Sequence, residues 1–176
     1  DSRQDHRRAD QHRGALDRHL PPERLVAAYR RGIFPWPDSS LPGVIPWVCP
    51  PRRAILEFAA LHIPRTLRRA RHALARLRFT IDTAFEDVIR ACAAAPRPGQ
   101  RGTWITPDLI MAYIELHRRG YAHSIEAWDD GVLVGGLYGL AIGRMFCGES
   151  MFSARSGASS IALAVPTLIL GIYWGP

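Results

Sequence analysis

The stretch that most constrains the fold is AHSIEAWDDGVLVGGLYGLAIGRMFCGESMFS, residues 122–153. AHSIEAWD, VLVGGLYGLAIG and RMFCGESMFS read as three strands. Asp130-Gly131 lies between the first two, and an Asp-Gly pair supplies the left-handed residues of a tight hairpin. Strands joined this way run as an antiparallel meander. Gly135, Gly136 and Gly139 in the middle segment point to a bulge or to close backbone approach. They do not form a phosphate loop, because the order G-x-x-x-x-G-K-[ST] is missing.

Upstream, PPERLVAAYRRG reads as a short helix with proline in its first turn and Gly32 as its stop. The proline- and tryptophan-rich IFPWPDSSLPGVIPWVCPP has no period and closes a small N-terminal unit near Pro50. RRAILEF alternates like a strand, PRTLRRARHALAR reads as a basic helix, and LRFTID as a further strand. In TAFEDVIRACAAA, Thr83 and Glu86 match a capping box. In TWITPDLIMAYIELHRRG, Thr106 caps, Pro107 opens and Gly120 ends a helix. A last helix is expected near Ala158, and the first twenty residues are expected to be poorly ordered. The order predicts an α+β fold with a central, mostly antiparallel sheet. A length of 176 residues, 47% of them apolar, suits one domain or one domain with a small appendage. The expected division is 1–50 and 51–176.

All 23 basic residues are arginine, and with 16 acidic residues the formal charge is 23 − 16 = +7. A positive field favours a polyanion such as nucleic acid; coding bias towards arginine is the other reading. Arg65, Arg68, Arg69, His72 and Arg76 recur at helical spacing and make one face cationic, suited to phosphates or simply to water. Cys49, Cys92 and Cys147 show no paired or metal-binding spacing, which fits a reducing cytosol, and Cys147 reads as a buried thiol rather than a nucleophile. His117 and His123 likewise read as structural, so no metal is expected. The apolar run from Ile161 is shorter than the ~20 residues of a spanning helix and contains Pro166, so no membrane association is expected.

Two features suggest chemistry. Trp36 and Trp104 lie outside any apolar stripe, where an indole either packs in a core or stacks on a nucleobase. Glu149 stands in FCGESMFS among Phe146, Met151 and Phe152. An acid in such a setting either caps a nearby amide or holds a polar group at the edge of an apolar pocket.

The strings YRRGIFPW, TWIT, AYIELHRRGYAHSIE, LVGGLYGLAIG and FCGESMFS, followed by ASSIALA, resemble the bacterial leucyl/phenylalanyl-tRNA–protein transferases from about Pro22 to Ala164. The resemblance implies a small N-terminal domain joined to an acetyltransferase-like (GNAT) domain. It implies transfer of leucine or phenylalanine, methionine less well, from aminoacyl-tRNA to proteins beginning with arginine or lysine. Such transfer marks those proteins for degradation in the cytoplasm. Aminoacyl-tRNA is a co-substrate, no further cofactor is needed, and a monomer is expected. By motif, Trp36 and Trp104 frame the 3′-aminoacyl-adenosine, and Leu137, Phe146 and Met151 shape the side-chain pocket. Glu149 binds the donor's polar atoms. Arg65 and Arg69 contact the tRNA acceptor stem, with His72 where a lysine is usual.

Two departures from the family pattern stand out. After Trp47 the chain reads VCPPRR instead of W-S-P-D-P-R continued from the tryptophan. After ASSIALA it reads VPTLILGIYWGP, without the D-x-Q associated with catalysis. The expectation is therefore a C-terminally incomplete GNAT-like domain that keeps the donor-binding half. A non-catalytic tRNA-binding remnant is one alternative. An acyl-CoA N-acetyltransferase is another, although the Q/R-x-x-G-x-G/A turn is missing.

Overall fold

The structure, a computed structural model, describes residues 20–37, 41, 44–55, 76–96 and 102–154. The basic helix with Arg65, Arg69 and His72, residues 56–58 of the expected strand RRAILEF, the helix near Ala158 and the tail lie outside the described residues. Residues 52–55, at the start of RRAILEF, are not in a strand.

Helix α1 spans Pro22–Tyr29, with proline where the first amides have no helical partner anyway. It buries Leu25, Val26 and Tyr29. Gly32, with φ 73°, takes the left-handed conformation just past its end. The aromatic loop is not wholly irregular: β1 (Phe34–Pro35) and β2 (Trp47–Val48) pair antiparallel, Phe34 facing Val48.

A four-stranded sheet follows. Strands β3 (Arg78–Ile81), β4 (Ala122–Asp129), β5 (Val132–Ile142) and β6 (Met145–Ser153) lie in that spatial order, every pair antiparallel. The expected meander is there, and its first turn is made by Asp130 (φ 50°) and Gly131 (φ 77°). Two left-handed residues match the right-handed twist of the flanking strands.

Helix α2 (Phe85–Ala94) buries Phe85, Val88, Ile89 and Cys92, a spacing that lines one helical face. It lies close on the sheet because Gly136 has no side chain: a Cβ there would come within 2.9 Å of a Val88 methyl. The expected capping box is not formed. Ala84, not Thr83, is the N-cap residue, and the Thr83 hydroxyl donates to the Ile81 carbonyl. Glu86 instead pairs with Arg90 one turn along. The buried carboxylate of Glu126 takes over the cap, accepting from the amides of Thr83 and Ala84 at 3.5 Å each and from the hydroxyls of Thr80 and Ser124. An acid fixed by tertiary structure outcompetes a flexible local side chain here.

Helix α3 (Pro107–Arg118) has the expected ends. The Thr106 hydroxyl accepts from the Leu109 amide at 3.3 Å, and Gly120 has φ 75°. Its buried residues include Leu109, Tyr113 and Leu116. One apolar cluster runs from Leu25, Tyr29 and Trp47 through α2 and α3 to Tyr138, Leu140 and Cys147 on the sheet. None of the described helices is long and apolar enough to cross a membrane.

Candidate functional site

Where β5 meets β6 the register slips. Tyr138 faces Ser150 but Gly139 faces Gly148, so Glu149 has no partner on β5 and is the extra residue of a β-bulge. Bulges re-aim a side chain and recur beside active sites. Gly139 makes this one possible, because a Cβ there would lie 2.3 Å from the Cys147 carbonyl oxygen and 2.6 Å from the Phe146 ring. The acid in FCGESMFS thus has a local explanation: the backbone turns Glu149 out of the strand's alternation.

The bulge aims Glu149 at the helices. Tyr113 of α3 donates its hydroxyl to Glu149 Oε2 at 3.2 Å. The Tyr113 hydroxyl in turn shares a hydrogen bond with that of Tyr29 at the end of α1. Both phenols are pushed well above their ordinary value, by burial first and then by the nearby Glu149 charge. They therefore remain protonated donors at any physiological pH.

Glu149 itself is pushed up from 4.5 to about 7. Burial disfavours its charged form, while hydrogen bonds from Tyr29 and Tyr113 and the Arg53 charge pull the other way without winning. Cys147, two residues before it, is buried, and burial together with the Glu149 charge raises its thiol. It is thus a protonated core thiol, as expected.

Arg53 connects this acid to the aromatic loop, its guanidinium carbon 4.8 Å from the Phe34 ring centroid. Phe34 meets Trp36 edge-on at 6.1 Å, and Trp36 stacks on Trp104 at 5.4 Å with the planes 13° apart. The two indoles expected from loop positions therefore do meet. They lie against each other rather than apart, and Trp36, 49% exposed, offers the accessible ring.

The predicted apolar trio lies on one face of the sheet. Leu137 faces Met151 across the strands, and the Phe146 ring lies over Gly139. Strand alternation puts these on the face opposite Tyr138, whose ring packs on Phe85 and Tyr113. Glu149 bonds on the Tyr138 side, so the bulge separates it from the face that carries the trio. A cavity of about 430 Å³ lies at β3 and the β4–β5 turn, and none of the predicted site residues lines it.

Sequence reasoning missed Tyr29, Tyr113 and Arg53. A signal existed for Tyr113: a tyrosine on a helix's buried stripe needs a partner for its hydroxyl, where phenylalanine would not.

Comparison with known proteins sets these residues in context. The family model for leucyl/phenylalanyl-tRNA protein transferase matches residues 55–170, and the model of that family's N-terminal domain matches residues 18–51. A leucyl/phenylalanyl-tRNA–protein transferase of Saccharophagus degradans is 57% identical over 145 residues, covering 82% of this chain and 58% of the relative. The protein of the same name from Anaeromyxobacter dehalogenans is 52% identical over 143 residues, 81% of this chain and 60% of its own. That of Nitratidesulfovibrio vulgaris is 49% identical over 161 residues, 92% and 67%. The chain thus spans about three fifths of the length of the first two relatives. With its two matched segments in family order and about half its residues identical to these relatives, the chain belongs to the leucyl/phenylalanyl-tRNA protein transferase family.

Proposed function

We propose that the chain grips the 3′ end of an aminoacyl-tRNA and serves the transfer of leucine or phenylalanine, methionine less well, to proteins beginning with arginine or lysine, so marking them for degradation. The observation that carries this reading is Glu149, set on a bulge, held near neutrality and linked through Arg53 and Phe34 to the stacked indoles. Family membership and the names of the relatives support it. In this reading the terminal adenine stacks on the exposed face of Trp36, while Leu137, Phe146 and Met151, to which the resemblance gives the apolar side chain, lie across the sheet from Glu149 and cannot receive the same aminoacyl group in this arrangement.

The chemistry needs little from the protein. An aminoacyl ester is already activated. The acceptor's α-amine, with an ordinary pKa of about 7.7–8.0, attacks the ester carbon. A C–N bond forms, the C–O bond to the ribose breaks, and the proton lost by nitrogen ends on the departing 3′-oxygen. Glu149 contributes by accepting a hydrogen bond from the donor's amino group near the reaction centre. Tyr113 and Tyr29 fix its carboxylate.

We further propose an acetyltransferase-like (GNAT) architecture preceded by a small N-terminal domain, divided as 1–50 and 51–176. The two family models that match consecutive segments support that division. The tRNA acceptor stem would meet Arg65, Arg69 and His72, in a cytoplasmic, monomeric protein.

Retention of a non-hydrolysable 3′-phenylalanyl-adenosine, read beside transfer of labelled phenylalanine to an Arg-initiated peptide, tests the reading. Trp36→Ala and Glu149→Gln should each weaken retention on the order of tenfold, in line with the worth of one stacked base or one charged hydrogen bond. Undiminished retention by both variants would sink it.

A further inference from the structure

The cavity beside β3 is lined by none of the residues proposed to hold the donor, and its composition is specific. Arg76, Arg78 and Thr80 line it. Arg78 and Thr80 are alternate residues of the edge strand β3, so their side chains point to one face, and Arg76 lies in the turn just before it. Arg78 stands directly opposite Trp128 of β4, and Thr80 opposite Glu126, which puts Arg78 beside the indole at cross-strand contact distance. The indole N–H is spent on the Thr80 hydroxyl at 2.8 Å, and that hydroxyl is spent on Glu126. The ring is thereby pinned, half-buried, as a wall. Thr83 and the Asp130–Gly131 turn complete the lining. At about 430 Å³ the space lies within the ~300–1,000 Å³ range of small-molecule pockets.

A pinned indole flanked by two exposed guanidiniums combines a stacking surface with charge for phosphate, while Asp130 is the one acid in the lining. We propose that this cavity is a second RNA site, taking one unpaired nucleotide: its base on Trp128, its phosphates on Arg76 and Arg78. β3 and β6 are the two edges of the four-stranded sheet, three strand spacings or about 14 Å apart. At roughly 3.4 Å per nucleotide along a stacked strand, an RNA with its 3′ end at Glu149 reaches the cavity several nucleotides upstream. The inference rests on the chain's being a tRNA binder, but not on the donor site.

Binding of deacylated tRNA is measured against salt, beside binding of 3′-phenylalanyl-adenosine, which is too short to reach β3. Arg76→Ala combined with Arg78→Ala alters exposed side chains only. This pair should weaken tRNA binding about tenfold and lower the slope of log K against log salt by one to two, with the minimal donor unaffected. Trp128→Leu should weaken tRNA on the order of tenfold and Trp128→Phe, which keeps a ring, far less. Unchanged tRNA affinity and slope in the arginine variant would overturn the proposal, as would no tRNA binding by the parent chain. Competition by polyglutamate as strong as by RNA would also overturn it. Loss of minimal-donor binding with arginine-dependent tRNA binding intact would sink the donor-site reading and leave this one standing.

Discussion

Glu149 holds two tendencies in opposition. Its carboxyl is enclosed enough to sit near 7, yet Tyr113, Tyr29 and Arg53 all favour its charged form. A carboxyl raised in this way binds its proton more tightly in the folded chain than in the unfolded one. Its contribution to stability therefore falls as pH climbs from 4.5 to about 7. At about 1.4 kcal/mol per unit the cost at pH 8 is at most roughly 3.5 kcal/mol, and partial solvent access makes it smaller. Glu149→Gln should be more stable than the parent in urea at pH 8 and closer to it at pH 4.5, while holding the donor less well. A variant less stable than the parent at pH 8 would contradict the assignment. Tyr113→Phe removes a donor from the charged form, so the Glu149 titration, followed by carboxyl NMR, should move further upward. This residue scale is where the sequence was least informative. The acid and both indoles could be picked out by their setting, and the resemblance gave them roles. Tyr29, Tyr113 and Arg53 come from three distant segments, and only packing reveals that they converge on one carboxylate.

Among the elements, local rules worked wherever a turn or cap is made by neighbours in sequence. The Asp130-Gly131 hairpin, the Thr106 cap and the Gly32 and Gly120 stops all depend on a few adjacent residues, and all were legible. The start of α2 was not, because Glu126 reaches its amides from another strand. Glycines within β5 separate by what surrounds them. Gly139→Ala would drive a methyl into the Cys147 carbonyl, whereas Gly135→Ala would meet the Phe152 carbonyl at an ordinary 3.5 Å. Gly139→Ala should cost about 3 kcal/mol or more and displace the bulge; Gly135→Ala should cost under ~1 kcal/mol. Equal thermal midpoints for the two would remove the steric account. A second joint pairs β4 with the loop after β3. His123 Nδ1 and Asp82 Oδ2 are 2.7 Å apart, and Asp82 Oδ1 accepts from the Ser124 amide at 2.9 Å. The Asp82 carboxylate raises His123 above 6.5. Burial alone would raise Asp82, but His123, the Ser124 amide and His117 outweigh it and hold it below 3.8. The His123 contribution is complete below pH 6.5 and lost as pH rises through its folded value. The Asp82 contribution is complete above pH 3.8 and lost as pH falls through its own. Asp82→Asn, which keeps an acceptor for Ser124 and tolerates the φ of 56° at this position, should therefore cost more stability at pH 5.5 than at pH 8.5. A difference independent of pH would show that the ion pair contributes nothing.

At the scale of the whole molecule, the N-terminal unit and the sheet share one continuous set of buried side chains. Leu25, Val26, Tyr29, Ile45 and Trp47 belong to the same apolar cluster as α2, α3 and β5. The Tyr29–Tyr113 bond crosses that cluster, and Arg119 bridges from the end of α3 to Glu23 on α1 as well as to Glu115. Sequence patterning suggested a boundary near Pro50 because the proline-rich loop breaks every period there. Whether such a boundary is also a boundary of cooperativity depends on buried area, not on local punctuation, and here the buried side chains continue past it. The segments on either side should therefore unfold together. In urea, tryptophan fluorescence reports on five residues, of which Trp36, Trp47 and Trp104 lie in or against the N-terminal unit, and far-ultraviolet circular dichroism reports on the helices and sheet. The two curves should coincide. Leu25→Ala, at a fully buried position of α1, should cost about 2–5 kcal/mol and shift both curves by the same amount. Were α1 and its loop an independent unit, the fluorescence midpoint alone would fall. The same variant then tests function, because Tyr29 reaches Glu149 only while α1 is docked. Were α1 released first, the Glu149 carboxylate would lose the Tyr29 hydroxyl, and donor binding would fail at a urea concentration where the sheet signal is still native. Coincident loss of all three signals is the outcome that a single shared core requires.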